Sequence, residues 1–452
     1  MDEGVRELRS TLDDAVRLRC APASASASIS VSVSADLSGG LDSTSIAFLA
    51  ARHSGTPIEA VTYHHPEAPA ADLAEAARAA ALEPRIRPAV VHGNAETLPY
   101  QELTEPAAVG FGEPAPAALA WRRSALRVQH ARKQGARLHL TGEGADALVG
   151  AAPSHLAELA GIGTMGRLLR QCARHARIRH TSTFGLALRA RRTARSTPAA
   201  ALSALAARLT GPASSDRLDW ADAVAWWPVS SEAVGWLTPR FRHDLAELAT
   251  ETSVAPAVGG AAEMAAWTEL RISAETQRNL RELGAAFDVP VHAPFLDDAV
   301  VTACLGVPAS EKVAPDAFKP LLTGAMRGRV PEQVLNRRTK GDYTAEDYRG
   351  ARRAAAALRG LLTGSRLADL GVIDVTAVSR TVDRLLAGVE VPLGSLNILL
   401  ATEAWLRAPV SASPDMARRS PSVRVQEGRP CSPSTSPTIS TTARTRTVES
   451  SS

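Results

Sequence analysis

At 452 residues, 45% hydrophobic and 22% charged, the chain has room for two or three domains, or one large domain with extensions, and its composition excludes a disordered or collagenous protein. Its formal net charge of +4 suits an anionic ligand without by itself implying nucleic acid. No run of about 18 apolar residues predicts a membrane span. The charged N-terminus MDEGVRELR is unlike a signal peptide. Four separated cysteines, Cys20, Cys172, Cys304 and Cys431, show no metal spacing, and a reducing cytoplasm is their simplest home.

Residues 3–20 carry apolar side chains at helical spacing (Val5, Leu8, Leu12, Val16) and predict an amphipathic helix. An Ala/Ser linker follows over 21–27. Ile29, Val31 and Val33 then alternate with serines toward Leu37, as a strand does. The segment Ser38-Gly39-Gly40-Leu41-Asp42-Ser43-Thr44 comes next and opens into the apolar helix 45–51. Further strands are predicted at Ile58 to Tyr63, Arg87 to Val91 and Arg137 to Leu140, with helices at Asp72 to Ala81 and Arg122 to Gln134 between them. Alternating strands and helices point to an α/β fold with a doubly wound parallel sheet. From about 151 the pattern is helical, with arginines over 167–195 and helices over 263–310 and 376–407. Beyond Pro409 the chain is rich in Ser, Thr, Pro and Arg with no apolar period, which reads as disorder. The expected organisation is a helix and linker over 1–27, an ATP-binding α/β core over 28–160, a mostly helical portion over 161–408 that completes the site, and a tail over 409–452.

A strand running into Ser-Gly-Gly and then a helix builds an anion site, because successive backbone N–H groups and the helix N-terminus converge on an oxyanion. Gly39 and Gly40 allow close approach, and Ser38, Ser43 and Thr44 add hydroxyl donors. Asp42 would repel phosphate unless a cation stood between them, so it points to Mg²⁺, which takes oxygen ligands. The pattern is neither GxxxxGK nor GxGxxG. A second turn, Gly142-Glu143-Gly144-Ala145-Asp146, also follows a strand. Asp42 and Asp146 are expected to share one Mg²⁺ on the phosphates of ATP, with Glu143 facing the reacting centre as a base. Thr62 and Tyr63 end a strand beside the first turn and are expected to frame adenine. Arg167, Arg170, Arg174 and Arg177 form one helical stripe, read first as a solvated face and second as a grip on an acidic peptide. Trp220, Trp226, Trp227 and Trp236 read as core anchors, and His64-His65 as no metal site.

The chain resembles the asparagine synthetase superfamily, members of the N-type ATP pyrophosphatases with a PP-loop fold. The resemblance rests on SGGLDST at 38–44, GEGADA at 142–147, Ala293-Pro294-Phe295-Leu296-Asp297, Phe318-Lys319-Pro320-Leu321-Leu322, and Val330-Pro331 followed by Arg337-Arg338-Thr339-Lys340-Gly341. It implies ATP and Mg²⁺ as cofactors, Lys340 as the loop lysine over the reacting phosphate, a weaker case for Lys319, and packing and capping roles for Phe295 and Asp297. Asp2 follows Met1, where the superfamily's glutaminase domain has cysteine, so ammonia from glutamine is not expected here. Ala147 and His292 replace a family Glu and Arg, which argues against free aspartate as substrate.

Four segments resemble the lasso-peptide macrolactam cyclases: Arg337-Arg338-Thr339-Lys340-Gly341-Asp342-Tyr343-Thr344, Ser365-Arg366-Leu367-Ala368-Asp369-Leu370-Gly371, Glu403-Ala404-Trp405-Leu406-Arg407, and Trp236-Leu237-Thr238-Pro239. That likeness implies adenylation of an Asp or Glu side chain of a precursor peptide and attack by the peptide's own N-terminal amine. Peptide-recognition and protease maturation proteins would be its partners, and neither nucleic acid nor a membrane span is expected. The alternatives are an asparagine synthetase-like enzyme using free ammonia or a β-lactam-type synthetase, and an inactive nucleotide-binding partner protein.

Overall fold

Leu8, Leu12 and Val16 are fully buried along one face of helix α1 (Asp2–Cys20), so the chain starts inside the core rather than beside it. The computed structural model describes residues 1–21, 32–104, 113–212, 220–252, 260–314, 318–337, 341 and 344–407. The expected tail lies outside the described residues, as do Ile29, Val31, Lys340 and Cys431.

The chain continues through β1 (Val33–Asp36), α2 (Leu41–His53), β2 (Ile58–His64), α3 (Ala71–Ala81), β3 (Ile86–His92), α4 (Trp121–Lys133), β4 (Leu138–Leu140), α5 (Ala145–Val149), α6 (His155–Gly161), α7 (Met165–Arg179) and α8 (Thr183–Arg195). Further on comes β5 (Val291–His292). All five strands are parallel, in the order β3-β2-β1-β4-β5. Chain order therefore moves outward from β1 to β2 and β3, then returns to β4 on its other side. The carboxyl ends of β1 and β4 flank that reversal, where open α/β sheets place their ligands.

One core joins sheet and helices. Val33, Ala35 and Leu37 of β1, Ile46 and Leu49 of α2, and Leu140 of β4 are buried with Leu8, Leu12, Phe295, Leu321 and Leu322. Every residue of β1 is buried, because helices cover both faces of a parallel strand. Ser34 tolerates this by donating its hydroxyl to the Leu138 carbonyl at 3.2 Å.

One sequence expectation needs correction. The stretch 263–310 is not all helix, since β5 closes the sheet through His139 N–H to Pro290 O and Thr141 N–H to His292 O, each 2.9 Å. Two paired residues between Pro290 and Pro294 are too few to carry an alternating signal. Arg167, Arg170, Arg174 and Arg177 are all exposed, as a solvated face is, while Arg167 also donates to Ser310 O at 3.0 Å and Arg174 to Ala314 O at 3.1 Å. Trp226 and Trp236 are buried, as expected of anchors, and donate to Ser196 and Thr381 hydroxyls. Cys20, Cys172 and Cys304 are free and buried, their thiols pushed up by burial to about 11, 11 and 12.

A helical unit of residues 344–407 packs through Leu358, Val378, Val382, Leu396 and Leu400. Glu403 organises its end. The carboxylate accepts from Ser365 Oγ at 2.8 Å, from the N–H of Arg366 at 2.7 Å and of Leu367 at 3.0 Å, and from Arg407 Nε at 3.0 Å. Burial alone would raise its pKa, and these four donors hold it below the usual carboxylate range. Thr238 N–H donates to Val372 O at 3.0 Å, and its hydroxyl to Gly371 O at 2.5 Å. Three of the four segments that resemble the cyclases, those at 236–239, 365–371 and 403–407, are thus one packed assembly, while most of the fourth, at 337–344, lies outside the described residues.

Candidate active site

The turn after β1 holds itself open by short polar contacts. Ser38 N–H donates to Ser43 Oγ at 3.0 Å, the two serine hydroxyls lie 2.8 Å apart, and Gly40 N–H reaches Ser38 Oγ at 3.3 Å. No side chain caps α2, whose N-cap is Gly40, so its N-terminus faces the turn as a backbone anion site. Leu41, Ser43 and Thr44 are buried beneath it. Gly39 sits at φ +76°, and a Cβ there would stand 2.6 Å from Asp72 O on α3. Only glycine meets both conditions without strain.

The second turn is pressed onto the first. A Cβ on Gly142 would lie 2.9 Å from Ser43 N and 3.2 Å from the Asp42 carbonyl carbon, so the two backbones touch only because position 142 has no side chain. Gly144 forms the N-cap of α5, and Asp146 lies in the first turn of that helix.

That approach brings Asp42 and Asp146 onto one cation. Lys319 Nζ donates to Asp42 Oδ1 at 2.7 Å, to Asp42 Oδ2 at 2.6 Å and to Asp146 Oδ1 at 2.5 Å. The lysine is buried, and the Phe318 ring centroid lies 5.6 Å from Nζ. Its backbone is left-handed at φ +49°, where a non-glycine residue is held only by its surroundings. Lys319, the lesser lysine of the sequence reading, is therefore a central group of the site. Among the described residues no cluster of three His, Cys, Asp or Glu is placed to hold a metal.

Glu143 is half-buried beside this pair. Burial raises its carboxyl pKa, and the charge of Asp146 adds to that; the Ser273 hydroxyl and the Gly144 N–H pull the other way without cancelling it. Glu269 is also raised, by burial and then by Asp146. Ser273 and Glu269 stand one turn apart on the helix Gly260–Ala286, which brings a face of that helix to the acidic turn. Neither was legible in the sequence, since nothing local marks which face of a 27-residue helix meets a turn more than a hundred residues earlier.

Thr62 lies buried at the strand end beside the first turn. Its hydroxyl donates to Leu37 O at 2.6 Å and ties β2 to the base of the turn. Tyr63 Oη lies 3.1 Å from Thr97 Oγ1. Arg337 was quoted only as part of a motif, yet its guanidinium bonds both the Gly39 carbonyl and the Asp72 carboxylate, clamping the turn to α3. Asp297 caps the helix Asp298–Leu305 and accepts from Arg19 at 3.1 Å, while Phe295 is fully buried, so both serve packing and capping. His292 has its pKa lowered by burial and then by Arg19 and Arg281.

Beneath the turn lies a second polar system. Asp36, the last residue of β1, accepts from Arg127 Nη1 at 2.6 Å and pairs with His139 Nε2 at 3.0 Å, while His139 Nδ1 lies 2.8 Å from Ser34 Oγ. Burial would raise the Asp36 carboxyl, but Arg127 and His139 outweigh it and hold the group below the usual carboxylate range.

A parallel sheet with two strand-end turns at its reversal, one phosphate-shaped and one acidic, defines a nucleotide-dependent α/β enzyme. The asparagine synthase family matches residues 7–407, and the chain belongs to that family, whose members are ATP-dependent ligases. No curated protein matches the chain.

Proposed function

We propose that this chain adenylates the Asp or Glu side chain of a peptide and couples it to that peptide's N-terminal amine, closing a macrolactam. The observation that carries the chemistry is the convergence of Asp42 and Asp146 on one cationic nitrogen at the mouth of the sheet. Two carboxylates aimed at one point offer the hard oxygen donors that Mg²⁺ takes, and the Mg²⁺ that the family implies would be held by Asp42 and Asp146, where it would neutralise phosphate charge. The turn over 38–44 supplies backbone N–H groups for the pyrophosphate.

In the first step a carboxylate oxygen attacks the α-phosphorus and pyrophosphate leaves. In the second, the amine attacks the acyl carbon and AMP leaves. The amine must shed a proton, and Glu143 beside the pair is positioned to take it. Support for a cyclase over its relatives comes from the likeness of the packed segments around Glu403 and Thr238 to that group, together with Ala147 and His292 in place of the family residues.

The test is pyrophosphate release with a panel of substrates. Peptides carrying an acidic side chain and a free N-terminus should release pyrophosphate and lose one water in mass. N-acetylation should block ring closure while leaving adenylation in place. Release with free aspartate and ammonia alone would overturn the reading in favour of an asparagine synthetase-like enzyme. ATP binding without release for any acid would make the chain an inactive partner.

Glu143 gives a pH signature. As a base it works ionised, so coupling falls as pH drops through its pKa, and that limb should lie above the ordinary glutamate value of about 4.3. Glu143→Gln should lower the coupling rate by about 10²–10⁴-fold and remove the limb. An unchanged profile in Glu143→Gln would assign the base elsewhere.

A further inference from the structure

Between Glu158 and Asp216 the sequence has ten arginines and no Asp or Glu, although the whole chain is only +4. Fold accounts for some of them. Arg167 and Arg174 bond loop carbonyls, and Arg189 and Arg208 meet Asp222. Arg177, Arg191, Arg192 and Arg195 are exposed and make no ion pair with an acid among the described residues.

Large apolar side chains stand among them. Ile178, in the last turn of α7, is 60% exposed; Phe184, in the first turn of α8, is 80% exposed; Leu188 is 51% exposed. On α8, residues 184, 188, 191 and 195 follow the i, i+4, i+7, i+11 spacing of a single helical stripe. The opposite faces are spent on the core, where Leu168, Cys172, Ala176, Leu186, Ala187 and Ala190 bury one another. The outer stripe therefore presents phenylalanine and leucine, then two arginines, to solvent, with the exposed Arg192 beside them.

We propose that the α7–α8 corner docks on an anionic phospholipid surface. Exposed aliphatic and aromatic side chains beside arginines are the pattern of a helix that lies in the headgroup region, apolar groups inward and guanidinium groups on phosphate. Nucleic acid would meet the arginines but offer nothing to Ile178 and Leu188. An acidic peptide would be recognised by charge alone at residues 191–195. No helix among the described residues is long and apolar enough to cross a membrane, so the contact is peripheral.

Vesicle flotation of the full chain decides it. The protein should float with phosphatidylcholine vesicles containing a third phosphatidylglycerol and stay behind with phosphatidylcholine alone. Arg191→Gln/Arg192→Gln/Arg195→Gln should weaken partition roughly a hundredfold, at about tenfold or less per arginine. Phe184→Ser/Leu188→Ser keeps the charge and should still weaken it about tenfold or more. Both variants should keep wild-type melting temperature and pyrophosphate release, since neither touches the site. Absence of flotation on anionic vesicles overturns the proposal. So does flotation that survives Phe184→Ser/Leu188→Ser but is abolished by added duplex DNA or polyglutamate, which would mark a plain polyanion site.

Discussion

Asp42→Asn and Asp146→Asn should each lower ATP-dependent pyrophosphate release by about 10²–10³-fold or more, the loss expected when one preorganised charge at a reacting phosphate is removed. The reason lies in the charge balance. Two carboxylates and the Lys319 ammonium together leave the mouth of the sheet with an excess of negative charge, and a triphosphate brings more. Productive binding then requires a further cation, and the carboxylates are what would hold it. The variants should consequently separate two quantities. Turnover collapses, whereas ATP affinity in the presence of a chelator holds or improves, because a repelling charge has gone. Calorimetric titration with and without Mg²⁺ reads both. Full turnover of either variant at low Mg²⁺ would remove the metal assignment.

The same triad predicts unequal structural costs. Lys319 is buried and Asp42 partly so, while the Asp146 side chain is 64% exposed. Water screens the Asp146 arm, which makes its contribution to stability small. Asp42→Asn should therefore lower the melting temperature more than Asp146→Asn, although both lower turnover by the same order. Lys319→Met removes the cation from both carboxylates, and the left-handed backbone at 319 loses the contacts that hold it there.

How far the site was legible depended on where its partners lie along the chain. Asp42 and Asp146 each follow a strand and a glycine turn, and two turns ending parallel strands must share one edge of a sheet. Their meeting was thus readable once the strands were placed. Lys319 was not, because nothing in Phe318-Lys319-Pro320 reveals that the loop folds back across the sheet; the lysine is 277 residues from Asp42 and 173 from Asp146. Arg337 and Asp72, 265 residues apart, were hidden for the same reason. Asp36 carried a signal that went unused: a carboxylate inside an otherwise buried strand has to find a partner, and the residue type alone demanded one. Its partners, 91 and 103 residues away, could not be named from the sequence. β5 failed for a simpler reason, since two residues have no period.

That buried carboxylate sets the second large effect. Asp36→Asn should cost about 3–5 kcal/mol of stability, the usual loss when one member of a buried ion pair is removed and the other is left uncompensated. Arg127 keeps partial access to water, which places the expected value toward the lower end. In a scanning experiment the loss should appear as roughly 4–6 °C in melting temperature. The sign with pH follows from the lowered carboxyl of Asp36. A group whose folded pKa lies below its unfolded value of about 3.9 contributes fully above that value, and the contribution disappears as pH falls through the folded pKa. Wild type should therefore lose stability more steeply than Asp36→Asn on acidification below pH ~4, and the two curves should converge there. Arg127→Gln should cost less than Asp36→Asn, and the double variant less than the sum of the two, because the partners share one interaction. Strict additivity would mean that the 2.6 Å contact between Asp36 and Arg127 carries no coupling. The site would feel the change as well: Asp36 stands two residues before Ser38, so a β1 end that loses its anchor loosens the turn that receives the phosphates, and the affinity for ATP should fall along with the melting temperature.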